Sequence, residues 1–402
     1  MNILKEYFLR IINIKILVEK NSLYSSDSSK FHAQFFEKPI NMSIMKKVAL
    51  IISLFLSFAN MSAQGNSSDT EESKTKLDEK RYELTVMPFF NYNRNIKFML
   101  GAIPMAMYNL NKQDTISPKS LSGAIGVYTT NKSYFIGFFN KLYYADDSWR
   151  GTFFLGTGNI NSQFFIDDIN SSDFYSYGTN ATVFSAGIQR KVILGLYGGI
   201  TYTYAKYKTE FSDDIMEETT TVTNGLEFNV LYDTRDDVYY PKSGNKFDIK
   251  WISYAEWLGN EMNADKIKTI FNKYIPMRKN TDVLAARASG TFGLGEIAFE
   301  QQTVVGGKDI RGYSEGKYRG KSVIALQAEY RLNFAKRMGV VAFAGAATLY
   351  GSDNENFDGT FLPGGGIGFR YKAFKKVKFN IGLDAAVGKD DWGLYFRIGE
   401  AF

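Results

Sequence analysis

One glycine-rich stretch, residues 304–320 (VVGGKDIRGYSEGKYRG), has a composition that could bind phosphate. A loop of the G-x-x-x-x-G-K-[ST] type cradles phosphates with its backbone N–H groups and leads into a helix. Gly320, Lys321 and Ser322 match the end of that motif, but Glu315 stands where its first glycine is required. The residues that follow are typical of a strand. These departures argue against nucleotide binding and leave either a mobile surface loop or a packed one.

The apolar side chains of this stretch favour packing over mobility. A mobile loop at the end of a sheet is expected to be polar. Val304, Val305, Ile310, Tyr313 and Tyr318 are large apolar groups for a loop surrounded by water. We therefore expect the stretch to lie against another part of the molecule.

The start of the chain predicts export. Lys46 and Lys47 precede an apolar run, 48–59, and small residues then lead to a cleavage position after Ala63. This is the layout of a secretory signal peptide. The apolar run is too short to cross ~30 Å of hydrocarbon as a helix, which argues against a membrane anchor.

The chain is accordingly divided into four predicted parts. They are an upstream extension over 1–44 ahead of a true start at Met45, a signal peptide over 45–63, a disordered polar lead-in over 64–80, and a folded part over 81–402. The only histidine, His32, falls in the upstream extension, and the chain has no cysteine. The folded part therefore cannot contain a Ser-His-Asp triad, a cysteine nucleophile or an ordinary zinc site. We expect the protein to have no enzymatic activity and no cofactor or metal site.

Charge and periodicity describe the folded part. The net charge of +6 is modest and comes without a dense basic block, so it gives no support to nucleic-acid binding. Apolar and polar residues alternate with period two, which predicts strands. Ile324 and Leu326 fall on one face of such a run, and Glu329 and Arg331 on the other. Sixteen runs are predicted, among them 149–158, 179–191 and 392–402, and the segment 159–178 is predicted to be a longer polar loop.

An even number of strands, joined alternately by short turns and longer polar loops, is typical of an outer-membrane β-barrel. Lipid offers no hydrogen-bond partner to a free strand edge, so the sheet must close. A soluble all-β protein with two sandwiches or a propeller would show the same period. The signal peptide, an aromatic content of 16% and a final strand ending in Phe402 favour the membrane protein. The predicted fold is all-β, a 16-stranded antiparallel transmembrane β-barrel.

Two motifs resemble the BamA/TamA outer-membrane assembly superfamily, also called the bacterial surface antigen family. One is similar to the family's arginine-glycine-aromatic loop, and the other to a segment with an aspartate- and arginine-bearing turn. The loop motif comprises Gly306, Gly307, Ile310, Arg311, Gly312 and Tyr313. The second motif, within 232–251, comprises Asp233, Arg235, Asp236, Pro241 and Gly244. The terminal FRIGEAF, ending in Phe402, fits the C-terminal barrel signal of the family.

The resemblance implies that the loop after strand eleven is extracellular and folds back into the barrel lumen. It also implies that Arg311 pairs with acidic residues on the inner wall, with Glu329 as the matching glutamate. The sequence departs from the family at Gly345, where many members carry an aspartate. Asp384, predicted to face the lumen, is the substitute that the alternation offers. For the second motif, a solvated periplasmic turn and a lumenal charge network remain equal alternatives.

The resemblance further implies a location in the outer membrane of a Gram-negative bacterium. The short lead-in leaves no room for the family's periplasmic repeat domains, which predicts a barrel-only, monomeric member surrounded by outer-membrane lipid. Its expected function is to assist insertion or translocation of proteins or lipids, with unfolded outer-membrane proteins as substrates and a separate periplasmic accessory protein as partner. The alternatives are a passive pore or conduit plugged by the 304–320 loop, and a structural or adhesive surface protein.

Overall fold

The computed structural model describes residues 82–93, 95–168, 171–212, 216–306, 309–313, 316–372 and 380–402. The predicted upstream extension, signal peptide and lead-in lie outside the described residues, and so does Gly307 of the loop motif. The statements below concern the described residues alone.

Strands make up most of this part of the chain. The first nine are β1 (Tyr82–Asn93), β2 (Lys97–Tyr108), β3 (Ser120–Thr129), β4 (Tyr134–Tyr144), β5 (Trp149–Asp168), β6 (Ser171–Ile193), β7 (Leu196–Phe211), β8 (Thr219–Asp233) and β9 (Gly244–Tyr254). The others are β10 (Ala264–Met277), β11 (Asp282–Gly295), β12 (Thr303–Val304), β13 (Arg319–Gly320), β14 (Ser322–Asn333), β15 (Met338–Tyr350), β16 (Leu362–Lys372), β17 (Asn380–Gly388) and β18 (Asp391–Ile398). Single-turn 3-10 helices cover Glu256–Leu258, Phe299–Gln301 and Glu355–Phe357.

Sixteen of these strands form one closed antiparallel barrel, which confirms the predicted fold class. Neighbours in the chain are neighbours in the sheet, except that β14 follows β11 directly. The two short strands β12 and β13 pair only with each other, inside the connection between β11 and β14. The barrel closes where β1 meets β18, and there one pair of residues is in register, Tyr92 with Leu394.

Alternation of side chains separates the two faces of the sheet. On β14, Ile324 and Leu326 are 40% and 60% exposed, whereas Glu329 and Arg331 are 1% and 2% exposed. Large apolar side chains therefore cover the outer face, and charged ones are enclosed on the other, as expected of a barrel in lipid. Within the described ranges, no helix has the length and apolar character needed to cross a membrane.

The hairpin of β5 and β6 extends well beyond the predicted strands 149–158 and 179–191, into a segment predicted to be a polar loop. Aromatic packing explains the extension. Phe164 of β5 is buried, and its ring lies 5.6 Å from that of Phe299 and 5.9 Å from that of Tyr177. The extra residues thus pair with each other and pack on the β11–β14 connection.

The last strand ends at Ile398, four residues before the end of the predicted run 392–402. Gly399 has a φ of 84°, which favours glycine and turns the chain out of the sheet. Phe402 is buried in a cluster with Tyr274, Val283 and Ala285 of β10 and β11. The C-terminal aromatic side chain therefore packs on the strands across the barrel.

The two ends of the barrel differ in the connections that they carry. The proximal end is the one at which β1 begins and β18 finishes, and it carries the turns 278–281 and 334–337. The distal end carries the longest connection, 296–321, which we call the distal loop. At the proximal end, Tyr239 in the 234–243 connection donates a hydrogen bond to the carbonyl of Lys119, at the far side of that end.

Candidate functional site in the barrel

The distal loop packs its apolar residues against the buried face of the sheet. Val305, Ile310, Tyr313 and Tyr318 are each at most 3% exposed. They form one cluster with buried side chains of the adjoining strands, which are Val323, Ala325, Ala347, Leu349 and Leu362. The large apolar groups of this loop therefore lie against the sheet and not in water.

Arg311 is held between two carboxylates. Its Nη1 donates to Asp384 Oδ2 at 2.7 Å, and its Nη2 donates to Glu329 Oε2 at 2.9 Å. All three side chains are fully buried. The guanidinium also stacks on the ring of Phe343, 3.3 Å from its centroid. Burying a charge is costly unless opposite charges and hydrogen bonds compensate it, and here both do.

The same carboxylates bind three further arginines. Asp384 accepts hydrogen bonds from Arg370 and from Arg397, the latter at 2.7 Å. Arg331 donates to Glu329 at 2.7 Å. A third carboxylate, Glu400, lies 2.9 Å from Arg370 and 3.8 Å from Arg331. We call these seven residues the charge network: Arg311, Arg331, Arg370, Arg397, Glu329, Asp384 and Glu400.

Two glycines allow the loop to approach the sheet. Gly312 has a φ of 109°, and a Cβ there would lie 2.5 Å from the backbone of Val387. A Cβ on Gly364 would lie 2.6 Å from the carbonyl oxygen of Arg311. The Gly312 N–H donates to the Tyr395 hydroxyl at 3.0 Å, and the Tyr313 hydroxyl donates to the Pro363 carbonyl at 2.5 Å. The backbone of the loop is thus in direct contact with β16, β17 and β18.

The second motif forms a separate charge cluster at the proximal end. Asp233 accepts from Arg235 at 2.7 Å and from Arg150 at 3.1 Å, and its side chain is 3% exposed. Asp236 accepts from the backbone N–H groups that follow Pro241 in the turn, at 2.8 and 3.1 Å. Gly244 has a φ of 96° with the Thr234 carbonyl 2.2 Å from where a Cβ would be. Of the two alternatives for this motif, the structure thus shows a buried ion pair for Asp233 and a turn-forming role for Asp236.

Arg331 joins the two parts of the candidate site. Besides Glu329 and Glu400, it donates to the carbonyl of Pro241 at 3.3 Å and to that of Phe402. Pro241 belongs to the second motif and Phe402 to the C-terminal segment. One guanidinium therefore contacts both segments at the proximal end and shares Glu329 with the distal loop.

Sequence patterns identified some members of this network and missed others. The structure brings Arg311 together with Glu329, the partner that the resemblance implied, and with Asp384, the substitute that the alternation offered. A Cβ on Gly345 would lie 2.4 Å from the Leu326 carbonyl, which leaves no room for a side chain. Four members were not predicted as site residues, although the alternation put the first of them on the face of Glu329: Arg331, Arg370, Arg397 and Glu400. Their strand parity would have placed three of them on the buried face. In the parts of the chain described, no group of three or more His, Cys, Asp or Glu side chains is arranged to hold a metal ion.

Solved structures share the fold. BamA from Haemophilus ducreyi lacking POTRA domains 1–3 is 13% identical, with a TM-score of 0.53 over 85% of this chain and 77% of that one. CdiB from Acinetobacter baumannii is 11% identical, with a TM-score of 0.54 over 79% and 60% of the two chains. CdiB from Escherichia coli is also 11% identical, with a TM-score of 0.57 over 81% and 63%. The present chain thus spans less than two thirds of either CdiB chain.

The sequence itself matches a family. No curated protein is significantly similar to it. The family model for the Omp85 superfamily domain matches residues 117–402, which is more than half of the chain and includes β3 to β18. The matched region contains the distal loop, the second motif and the whole charge network. The fold and this match together show an outer-membrane β-barrel, and the chain belongs to the Omp85 superfamily.

Proposed function

We propose that this barrel assists the insertion or translocation of proteins at the outer membrane. Membership of the Omp85 superfamily and the likeness in fold to BamA and CdiB support this role. The observation that carries it is the junction between β1 and β18, which is the least paired in the barrel. One position is in register there, against eight between β17 and β18.

Aromatic side chains hold the junction in place of backbone pairing. The rings of Tyr92 and Trp392 stack with centroids 5.3 Å apart, and those of Phe90 and Phe396 lie 4.6 Å apart. Such ring contacts contribute roughly 1 kcal/mol each. A ladder of backbone hydrogen bonds, by contrast, must break one bond after another. The junction is therefore the place at which the sheet opens with the smallest loss of contacts.

An open junction would expose the edge of β1. A strand edge presents a row of unpaired N–H and C=O groups and is a template for another strand. Within the proposal, an incoming strand of an unfolded outer-membrane protein pairs with β1, while the other strands of the barrel stay paired with each other. Delivery of that substrate is assigned to a separate periplasmic protein. No chemical bond is broken in this role, so the proposal includes no enzymatic step.

A disulfide across the junction tests the proposal, because the chain has no cysteine of its own. Tyr92→Cys with Leu394→Cys links β1 to β18, while Ala385→Cys with Leu394→Cys links β17 to β18 as a matched control. The assay is insertion of an unfolded barrel protein into vesicles that carry the oxidised variants. We expect the first disulfide to stop insertion, reduction to restore it, and the control to insert normally. Full insertion by the oxidised junction variant would refute the proposal.

A plugged conduit is the second candidate, and the buried distal loop favours it. The loop contacts β14, β16, β17 and β18 through Arg311, Gly312 and Tyr313, and in this candidate function it would block the path of a solute. If the loop is a plug, Arg311→Ala should raise the conductance of the reconstituted barrel at least several-fold. Unchanged conductance, together with normal insertion activity, would leave insertion as the function.

A further inference from the structure

A cleft of about 590 Å³ opens at the proximal end, beside the turn 334–337 and the end of β16. This volume is in the range of pockets that bind small ligands. Its wall contains the cationic residues Lys242, Lys336, Arg337, Arg370 and Lys372, and no aspartate or glutamate. The cleft is not part of the insertion role proposed above.

Most of these cations have no carboxylate partner. The Arg370 guanidinium is engaged by Asp384 and Glu400 in the charge network. Among the described residues, the other four make no ion pair: Lys242, Lys336, Arg337 and Lys372. Lys242 Nζ donates to the Asn280 carbonyl at 3.2 Å, and Arg337 donates to the Tyr371 hydroxyl at 3.4 Å. Four uncompensated positive charges in one cleft favour an anionic ligand.

The apolar part of the cleft identifies the kind of anion. Phe334 and Met338 line it and are 56% and 40% exposed. Met338 begins the outer face of β15, and Val340 continues it. Phe369 of β16 is paired with Val340, and these two side chains are 40% and 41% exposed. This outer face is the one that meets acyl chains in the membrane. The cleft therefore joins a cationic surface to a lipid-facing one.

We propose that this cleft binds the phosphate of an anionic glycerophospholipid, with the acyl chains lying along Phe334 and Met338. Cationic pockets at the edge of a membrane protein bind lipid headgroups, and each basic residue near an anionic surface contributes measurably. A soluble phosphate compound would satisfy the lysines but not the apolar edge. An acidic protein would satisfy the charge but would not require two apolar residues on the lipid-facing side.

The test compares lipids retained by the full chain after reconstitution into nanodiscs with equal amounts of phosphatidylglycerol and phosphatidylcholine. Native mass spectrometry of the protein released from the nanodiscs measures the bound lipid. Lys336→Gln with Lys372→Gln removes two charges from the cleft. Lys279→Gln with Lys112→Gln is the matched control, because it removes two exposed charges from the same end outside the cleft. Phe334→Ser removes the apolar edge alone.

We expect the wild type and the control to retain phosphatidylglycerol preferentially, and the cleft variant to retain about tenfold less. Phe334→Ser should also lose the lipid while still binding glycerol phosphate. Equal retention by the cleft variant and the control would overturn the proposal. So would retention that Phe334→Ser leaves unchanged and glycerol phosphate abolishes, which would identify a soluble phosphate site. Binding of an acidic protein that phosphatidylglycerol vesicles cannot displace would overturn it in favour of a protein partner.

Discussion

Arg311 and Asp384 are 73 positions apart in the chain, and yet Nη1 of one lies 2.7 Å from Oδ2 of the other, with both side chains fully buried. This pair fixes the distal loop to β17, and the partner pair with Glu329 fixes it to β14. A loop with ends at β11 and β14 is thereby attached to β17, which is separated from the closing junction only by β18.

Arg311→Ala should lower the free energy of unfolding of the barrel by about 3 to 5 kcal/mol, because two buried carboxylates lose a shared partner. Denaturant unfolding in detergent micelles measures this free energy. A second measurement is the temperature to which samples must be heated before the folded band disappears from the gel. Arg319→Ala is the matched control. Arg319 donates to the Phe299 carbonyl at 2.7 Å and the Tyr177 hydroxyl at 3.0 Å, so about 1 kcal/mol is expected. Equal losses from the two variants would contradict a specific role for Arg311.

Asp384→Asn should destabilise the barrel more than Glu329→Gln. Loss of the Glu329 charge still leaves Arg311 with Asp384 and Arg331 with Glu400. Loss of the Asp384 charge leaves Arg397 with no carboxylate in the described structure. A partly buried guanidinium without a counter-charge is the more costly outcome. Paired denaturant curves for the two variants decide the order, and the reverse order would show that the network is not organised around Asp384.

Gly312→Ala should prevent the distal loop from packing against β16, β17 and β18. The new Cβ would meet the backbone of Val387, which cannot move aside as a flexible side chain can. Gly359→Ala separates this effect from backbone strain, because Gly359 also has a positive φ, 71°, but its nearest contact is 4.0 Å away. Proteolysis of the distal loop in folded barrels is the measurement. Cleavage should appear in the Gly312 variant alone, and equal cleavage in both would point to strain as the cause.

Asp114 should give the proximal end a measurable acid sensitivity. Burial alone would raise the pKa of this carboxyl group, but hydrogen bonds from the Ser117 hydroxyl and from the N–H groups of Ser117 and Asp146 outweigh it and lower the pKa to about 2. A lowered pKa stabilises the folded state at pH values above the ordinary value of 3.8, and this contribution is lost as the pH falls toward 2. Wild type should therefore lose stability between pH 4 and pH 2 more steeply than Asp114→Asn. Identical slopes would remove Asp114 from the explanation.

Much of the fold follows from the sequence because a barrel in lipid must obey strict rules. Period two, an even strand number and closure follow from the need to satisfy every backbone group, and the sixteen strands were predictable on that basis. The same alternation placed Glu329 and Asp384 on the enclosed face. The extension of the β5–β6 hairpin was not predictable in this way, because its polar residues lack the apolar face that the pattern requires. Its stability comes from packing Phe164 on a distant loop.

The charge network was only partly predictable for a similar reason. Arg397 and Glu400 belong to the terminal FRIGEAF, whereas Arg370 lies on β16 in no motif, so that only the register of β16, β17 and β18 brings Arg370 to them. The turn at Gly399 was missed because the apolar phase of 392–398 continues to Phe402 in the sequence. No feature of the neighbouring sequence indicates that the Phe402 ring packs on β10 and β11.

Every residue of the charge network lies within positions 311–400, on the distal loop, on the strands from β14 onward or, for Glu400, just after β18. Contacts between residues that are near each other in sequence form sooner than contacts that close long loops, because less chain entropy is lost. The part of the chain from the distal loop onward can thus assemble as a unit around its own arginines and carboxylates. We expect the meeting of β1 with β18, which has one pair in register and no member of this network on β1, to be the final event of folding and the first to be reversed.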